Sequence, residues 1–452
     1  MRLRTLIVAV TALAAACSPA SGSRSAAVPT GSPAASPSAP TSAAISTSTS
    51  AAPSSAVPPS VATSRVVHIG ISLPLSADGS GPADAVRDAV LLAIGDAGRT
   101  APIAGLTVEP VVLDHTVNGT DDPTKGTADI MSLVADPTVL GVVGPFNSYI
   151  AQRQIPLSSA AQLIQCSPAT TDPTLTKGDI ARELRQGADV AFLRLAVTDD
   201  EIAPAIADYA ATVLHAKRAF VVDDGASYGT DLDSSFSARF VADGGQVVGR
   251  RVTDFHQSDY STTLAQGARL HPDVVMFGGV TAPDGDTSAG AAILRSQMPA
   301  AGLGGVPLVG GPSLATDDGQ PGSLLAIAGA AAKGTYLVDP TPGDYPGRAA
   351  FSASFRAAYG HDPDPYAAPG YACAQVILAA IATAARSGGP TREAVRAAAT
   401  APGTTVHTIL GAVGFDADGD TKSPTVTVYR ADPTAGGGKG AWVADRTLVV
   451  RP

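Results

Sequence analysis

The chain has 452 residues, and its 40 acidic side chains outnumber the 30 Lys and Arg residues, so its formal net charge is −10 at pH 7. This charge argues against nucleic acid as a partner, because phosphates call for a basic face, and against electrostatic attachment to anionic lipid. The body from residue 66 to residue 452 is long enough for two lobes.

The first 17 residues have the pattern of a secretory signal. Arg2 and Arg4 form the charged start, and the apolar run 6–16 is too short to span a bilayer as a stable helix. Cys17 ends the motif LAAAC, which resembles a bacterial lipobox although Ala14 stands where Leu is usual. We expect cleavage before Cys17, acylation of Cys17 and anchoring at the outer face of the cell membrane. The alternative is an ordinary secretory signal with an incidental cysteine.

Residues 18–65 consist almost wholly of Ser, Ala, Pro and Thr, and Arg24 and Arg65 are their only charged side chains. Such a segment has too few large apolar side chains to offset the entropy of ordering. Its prolines favour a semi-extended form. We therefore predict a disordered linker, with a glycosylated stalk as the alternative.

Strand-like and helical patterns alternate from residue 66 to residue 166. This alternation predicts a parallel sheet flanked by helices with right-handed crossovers. The predicted strands are 66–76, 106–115, 139–144 and 163–166, and the predicted helices are 83–98, 125–136 and 149–162.

The same alternation begins again after a strand at 190–197 and continues to residue 342, which predicts a second doubly wound lobe. Three helices at 348–360, 371–388 and 391–400 then follow with no new sheet, so they must cover a lobe already made. Residues 405–431 read as a β-hairpin that turns at 416–420. The predicted division is 66–196 plus 338–410 for lobe 1 and 197–337 plus 411–452 for lobe 2.

Two hydroxyl-rich loops follow neighbouring predicted strands. Ser148 lies in the first loop, and Ser167, Thr170 and Thr171 lie in the second. Open α/β sheets bind ligands at the carboxyl ends of their strands, and free backbone N–H groups at helix starts suit a small anion such as a carboxylate. In either loop alone, the hydroxyl side chains could serve only to cap the start of a helix. Two in succession favour a binding cleft.

Several motifs occur together in a fixed order: IGISLPLS (69–76), GVVGPFNS (141–148), CSPATTDPTLT (166–176), FLRLAVTDDEIAPAIADY (192–209) and DDGASYGTDL (223–232). With them, residues 66–431 resemble the solute-binding proteins of branched-chain amino acid transport systems, which have the type I periplasmic binding fold. The resemblance implies two lobes joined by crossings near 194–200, 334–340 and 408–416. It also implies a small polar solute, an amino acid or a related amide or carboxylate, held between the lobes by hinge closure, and a membrane permease of the ABC type as partner.

The resemblance also implies a ligand site. A carboxylate would be held by Ser148 and by backbone and hydroxyl groups of the second loop, and Tyr228 would close over the ligand from the second lobe. Neutral donors can satisfy a carboxylate without burying a second full charge. The predicted ligand-binding residues are Phe146, Ser148, Ala169, Thr170, Thr171, Tyr228, Val280, Thr281 and Ser313.

The chain departs from the family pattern in two places. Val280 and Thr281 occupy a turn where an aromatic residue is common, and Pro312 and Ser313 stand where amino-acid binders place an acid for the ligand ammonium. An ammonium taken from water without an anion costs several kcal/mol. Either a nearby acid (Asp224, Asp284, Asp317 or Asp318) takes this role, or the ligand is not an amino acid. Of these two interpretations, the second is preferred.

The three cysteines leave one pairing open. If Cys17 is lipidated, Cys166 and Cys373 are free to form a disulfide in an oxidising exterior, or they remain two separate buried thiols.

The chain lacks HxxxH and CxxC metal-binding spacings and the GxxxxGK[ST] phosphate loop. Asp416, Asp418 and Asp420 resemble a calcium loop, but the twelfth position is Thr427 and a hairpin turn explains them better. We therefore expect a monomeric binding protein with no catalytic activity, metal or cofactor. The alternative function is a sensing lipoprotein of the same fold that signals to a membrane receptor.

Overall fold

The structure is a computed structural model that describes residues 64–77, 81–254, 257–279, 290–315 and 323–450. The described residues lie in one compact unit. The predicted signal peptide with Cys17 and the linker as far as residue 63 lie outside them, as do Val280 and Thr281. The first strand starts at Arg65, one residue before the predicted boundary.

The strands of the described residues are numbered in chain order. They are β1 Arg65–Leu73, β2 Leu106–Asp114, β3 Thr116–Val117, β4 Thr120–Asp121, β5 Val139–Val143, β6 Ile164–Ser167, β7 Phe192–Arg194, β8 Arg218–Asp223, β9 Gln246–Val252, β10 Val274–Gly278, β11 Leu308–Gly310, β12 Thr335–Asp339, β13 Val406–Thr408, β14 Gly411–Val413, β15 Thr425–Asp432 and β16 Ala441–Val449.

The α-helices of the same residues are numbered in the same way. They are α1 Gly81–Thr100, α2 Pro123–Ala135, α3 Ser148–Ala160, α4 Gly178–Arg185, α5 Asp199–Thr212, α6 Ser227–Ala242, α7 Ser261–Ala268, α8 Gly290–Gln297, α9 Leu324–Ala328, α10 Arg348–Tyr359, α11 Ala367–Arg386 and α12 Arg392–Thr400.

The first sheet is parallel throughout, in the order β2-β1-β5-β6-β7. Its central strand β5, VLGVV, is buried at every position, as expected of a parallel strand covered by helices on both faces. Helices α1, α10, α11 and α12 pack against one core with β1 and β5. The three helices after residue 348 therefore cover the first sheet and do not form a third body.

The second sheet has the order β16-β15-β12-β11-β10-β8-β9. Its strands from β8 to β12 are parallel, and β15 and β16 are added at one edge as antiparallel strands. Two further core clusters lie on its faces. The α/β fold, with one parallel sheet and one sheet that is parallel from β8 to β12, agrees with the sequence prediction.

The predicted hairpin over residues 405–431 is wrong. Strand β13 pairs with β14, and β15 pairs with β16, so two separate hairpins replace one. The acidic segment between them forms a turn in which Asp416 Oδ1 accepts hydrogen bonds from the N–H groups of Asp418, Gly419 and Asp420, each at 2.9 Å. Asp420 then joins the edge of the first sheet through a parallel bridge to Arg194.

Three connections join the two sheets: 195–198 after β7, 340–347 after β12 and 414–424 after β14. The last overlaps the crossing implied near 408–416 and extends beyond it to residue 424, and Val413 and Phe415 pack on the first core. The assignment of 411–452 to a second lobe stays a prediction. Among the described residues, α11 alone is long and apolar enough to cross a membrane, but 78% of that segment is buried, as in a core helix.

Candidate functional site

The first predicted loop starts where β5 ends. Gly144 has a φ of +114°, and a Cβ there would lie 2.3 Å from the carbonyl oxygen of Ser72, so only glycine fits. Helix α3 then begins at Ser148. Its Oγ accepts hydrogen bonds from the N–H groups of Thr171 and Asp172, both at 3.3 Å. The Ser148 hydroxyl thus binds the second loop to the first.

The second loop is fixed by Ser167 at the end of β6. Its hydroxyl donates to the carbonyl oxygen of Pro145 at 2.8 Å and accepts from the N–H groups of Ala169 (3.3 Å) and Thr170 (3.1 Å). The Thr170 side chain is 1% exposed, and its Oγ1 has no hydrogen-bond partner in the described structure. A buried hydroxyl without a partner is unusual and needs an explanation.

Tyr228 and Ser313 come from the second sheet. Tyr228 lies in the first turn of α6, and a Cβ on Gly311 would lie 2.5 Å from the Tyr228 hydroxyl, so the phenol approaches the backbone after β11 closely. Ser313 donates from Oγ to the carbonyl oxygen of Gly279 at 2.6 Å. These residues gather at the carboxyl ends of β8, β10 and β11, where open α/β sheets bind ligands.

Asp199, at the start of α5, lies between the second loop of the first sheet and Tyr228 of the second sheet. Its N–H donates to the carbonyl oxygen of Thr171 at 2.9 Å, and its carboxylate is close enough to Tyr228 to raise the pKa of that phenol further, beyond the larger effect of burial. Burial raises the pKa of Asp199 itself to about 6, against the opposing effects of the Thr171 hydroxyl and Arg194. Asp199 Oδ1 is buried and has no hydrogen-bond partner in the described structure.

A second buried acid, Asp339, ends β12. Its side chain is 7% exposed, and its Oδ1 accepts from the Thr341 N–H at 2.9 Å and from the Thr341 hydroxyl. Burial raises the pKa of Asp339 to about 6 despite these hydrogen bonds, and the nearby Asp364 raises it further. Both carboxyls carry less charge near neutral pH than exposed ones.

Tyr366 connects this acid to the first loop. Its ring centroid lies 5.0 Å from that of Phe146. Burial raises the pKa of the Tyr366 phenol, and Asp339, Asp364 and Tyr228 add to the effect. Tyr366 therefore lies within electrostatic reach of residues from both sheets.

The connection after β7 is held by a buried ion pair. Arg194 is fully buried, and its Nε lies 2.6 Å from Asp420 Oδ1. The same guanidinium donates to the carbonyl oxygen of Asp172 at 2.6 Å and to the Thr176 hydroxyl. The pair thus fixes the first and third connections to the loop beside Ser148.

The structure brings Phe146, Ser148, Ala169, Thr170 and Thr171 together at the first sheet. It also places Tyr228 and Ser313 together at the second. Whether these residues bind a ligand stays a prediction. Sequence reasoning missed three residues that the structure places beside them: Asp199, Asp339 and Tyr366. Asp199 lies in the quoted motif FLRLAVTDD and starts helix α5, and Asp339 is the last residue of β12, so their positions at the ends of elements were the available signal.

A cavity of 730 Å³ lies beside the second connection and includes Tyr345, Arg348, Asp364 and Tyr429 in its wall. None of the predicted ligand-binding residues lines it. The described residues contain no group of three or more His, Cys, Asp or Glu side chains that could hold a metal ion. Cys166 and Cys373 form a disulfide that ties β6 to α11, with a Cα–Cα distance of 5.5 Å.

The chain is similar in sequence, over most of its length, to two named proteins. The Leu/Ile/Val-binding protein BraC3 of Rhizobium johnstonii is 26% identical over 381 residues, which is 82% of this chain and 94% of that protein. Leu/Ile/Val-binding protein homolog 2 of Brucella abortus is 25% identical over 364 residues, covering 80% of this chain and 89% of that protein.

Solved structures show the same fold. The branched-chain amino acid transporter substrate-binding protein LivJ of Streptococcus pneumoniae, in complex with isoleucine, has a TM-score of 0.65 and 20% identity, and covers 86% of this chain and 100% of its own. An ABC transporter solute-binding protein of R. palustris, in complex with 4-hydroxybenzoate, has a TM-score of 0.65 and 18% identity, with coverage of 86% and 98%.

The family model described as periplasmic binding protein matches residues 66–439. Residues 225–229 read GASYG, which has the spacing of a nucleophile elbow. The family, however, consists of solute-binding proteins and not of enzymes, which agrees with the prediction that this chain has no catalytic activity. The chain belongs to the periplasmic binding protein family and has its type I fold.

Proposed function

We propose that this protein is the extracytoplasmic solute-binding component of an ABC-type uptake system, and that it captures a small carboxylate-bearing solute between its two lobes by hinge closure. The proposal includes the lipid anchor at Cys17, a monomeric protein and a membrane permease as partner. The predicted ligand-binding residues, including Val280 and Thr281, are part of it.

The observation that carries the proposal is the hydroxyl pair of the first sheet. Ser148 Oγ accepts from two N–H groups, so its own proton remains to be donated, because a hydroxyl has one donor and two acceptor positions. Among the described residues, the buried Thr170 Oγ1 has no hydrogen-bond partner. A carboxylate oxygen would satisfy both groups, and such charge-assisted hydrogen bonds are stronger than neutral ones.

The relatives support the same ligand chemistry. LivJ is seen with isoleucine and the R. palustris protein with 4-hydroxybenzoate, two ligands that share a carboxylate and differ in the amine. The proposed ligand therefore has a carboxylate, with or without an amine.

A thermal-shift screen of the protein tests the proposal. The panel contains leucine, isoleucine, valine, benzoate and 4-hydroxybenzoate, with leucinamide and benzamide as matched compounds that lack the carboxylate. A ligand that binds only the folded state raises the melting temperature by mass action. We expect at least one carboxylate to stabilise the protein and its amide to fail. Stabilisation by an amide alone, or by no compound, contradicts the proposal.

A further inference from the structure

The first core, which lies around the first sheet, is built from two separated stretches of the chain. Its buried residues come from 67–195 and from 351–413. Between these stretches lie strands β8 to β12 and helices α5 to α9, which belong to the second sheet and its two cores. The polypeptide therefore runs from one stretch to the other only by way of the second sheet.

The disulfide between Cys166 and Cys373 links the two stretches directly. Cys166 lies on β6 and Cys373 on α11, 207 residues apart in the sequence, and both side chains are fully buried in the first core. Cys166 is also the residue before Ser167, whose hydroxyl holds the second loop. The bond is thus a second covalent route between the stretches, and this route does not pass through the second sheet.

Hydrogen bonds also join the two stretches. The Tyr371 hydroxyl donates to Asp96 Oδ2 at 2.7 Å, and Arg392 Nε donates to the carbonyl oxygen of Val139 at 2.9 Å. Closing a long flexible loop costs conformational entropy, so contacts of this kind form readily only while the stretches are held near each other.

Two features of the molecule hold the stretches near each other. One is the folded second sheet, because its chain leaves the first sheet at 195–198 and returns at 340–347. The other is the disulfide, which restricts the chain whether or not the second sheet is folded. The two features are redundant in the native protein. They differ when the second sheet unfolds, because the bond then still prevents a long flexible loop from separating the stretches.

We propose that the Cys166–Cys373 disulfide uncouples the first core from the second sheet, so that the loops around Ser148 and Ser167 persist when the second sheet unfolds. Without the bond, unfolding of the second sheet turns 199–339 into a flexible loop, and the first core unfolds with it. In the chain-entropy model, closing a loop of this length changes the opening equilibrium of the first core by on the order of a thousandfold. The bond makes the first core an independent unit in an oxidising compartment.

Two signals follow the two parts of the protein separately. Trp442 is the single tryptophan of the chain, and it lies on β16 and packs against a core of the second sheet, so its fluorescence reports that sheet. Amide hydrogen exchange of β5 and α11 reports the first core in both of its stretches. Both signals are recorded on the full chain in increasing urea, with the disulfide intact and after refolding in a thiol reductant.

The test is a variant that weakens the second sheet alone. Phe236→Leu removes part of a fully buried ring from a core of that sheet, so the Trp442 transition should move to lower urea in both redox states. In the oxidised protein we expect the exchange protection of β5 and α11 to stay within about twofold of its original value, as for independent sites. In the reduced protein we expect that protection to fall by roughly tenfold, together with the Trp442 transition.

The matched control changes the first core instead. Ile164 is fully buried on β6, two residues before Cys166. Ile164→Val should lower the exchange protection of β5 and α11 in both redox states, which shows that this signal responds to the first core. In the oxidised protein it should leave the Trp442 transition unchanged.

The inference is overturned if Phe236→Leu lowers the protection of β5 and α11 as much in the oxidised protein as in the reduced one, because contacts between the two parts then couple them despite the bond. It is equally overturned if the first core fails to respond in the reduced protein. If the reduced protein does not refold, the oxidised pair decides, since there the first core must not respond. No ligand enters these measurements, so the proposed function is tested separately.

Discussion

A buried carboxylate lies at each of two connections between the sheets, and the two carboxylates differ in their charged partners. Asp420, on the third connection, has the Arg194 Nε 2.6 Å away and accepts from the Thr176 hydroxyl at 3.1 Å. Asp339, just before the second connection, accepts hydrogen bonds from Thr341, and among the described residues Asp364 is the charged group that acts on it.

The difference indicates what each carboxylate is for. A buried charge with a complete set of partners fixes the chain, and removing one partner leaves the other uncompensated. A buried charge without a cation lowers the stability of the folded protein, so its retention needs another reason, and perturbed acids cluster at functional sites. Asp420 is thus assigned a structural role, and Asp339 stands out as a candidate for a functional one.

The largest effect is expected from Asp420→Ala. This change leaves the fully buried Arg194 guanidinium without its anion, and breaking a buried pair in this way costs about 3–5 kcal/mol. Denaturant unfolding should show a loss of this size in the free energy of unfolding. The control is Asp418→Ala in the same turn, where the exposed carboxylate lies 3.8 Å from Arg185, and a change within about 0.5 kcal/mol is expected. Equal effects of the two variants would contradict the structural role of Asp420.

Asp339→Asn should act in the opposite direction on the ligand-free protein. The pKa of Asp339 is raised from 3.8 to about 6, so its contribution to stability is present below pH 3.8 and is lost as pH rises to 6. Among the described residues, the titratable groups within electrostatic reach of Asp339 are Asp364 and the phenols of Tyr366, Tyr429 and Tyr228. The variant should therefore be as stable as the wild type at pH 7 or more stable, and its melting temperature should fall less between pH 4 and pH 6.

The comparison that checks this result is the difference between wild type and variant, because Asp199 has a pKa raised in the same way and contributes the same slope to both proteins. A variant that is markedly less stable at pH 7 would show that the Asp339 carboxylate has a cationic partner in the free protein.

The fold could be predicted because its signals are local. Runs such as VLGVV at 139–143 and the amphipathic helices between them repeat the α/β alternation, and the Gly, Pro and Ser residues at strand ends mark the loops. The hairpin at 405–431 was predicted wrongly because β15 pairs with β16, which lies beyond residue 431 in the sequence. A local turn signal at 416–420 does not reveal that Asp420 pairs with Arg194, 226 residues away.

The contact between Ser148 and the second loop could be predicted from the sequence for the same reason, since Ser148 and Thr171 lie in consecutive loops, and that these residues bind a carboxylate stays a prediction. The positions of Asp199 and Asp339 beside these loops could not be predicted. Asp339 and Tyr366 become neighbours only when the second connection brings the end of β12 against the start of α11, and burial, which sets their charge state, is a property of that packing.

Ser148→Ala should weaken carboxylate binding. The hydroxyl accepts from the N–H groups of Thr171 and Asp172, and it has a proton left for a ligand oxygen. We expect a loss of about 1–3 kcal/mol in the binding free energy of whichever carboxylate the screen identifies, because polar groups at the site are left unpaired. Thr171→Ala should have a similar effect. Ser387→Ala, at the exposed end of α11, is the control, and unchanged affinity in both Ser148→Ala and Thr171→Ala would rule out this placement of the site.

The smallest effect, and the most specific one, is expected from Thr170→Val. Because Thr170 Oγ1 has no partner in the described structure, removing it should leave the free energy of unfolding unchanged or raise it slightly, while carboxylate affinity falls by about 1 kcal/mol. Thr176→Val is the matched control: this buried hydroxyl donates to Asp420 and accepts from Arg194, so its loss should destabilise the protein without changing affinity. If Thr170→Val destabilises the free protein as Thr176→Val does, the Thr170 hydroxyl already has a partner and is not held for a ligand.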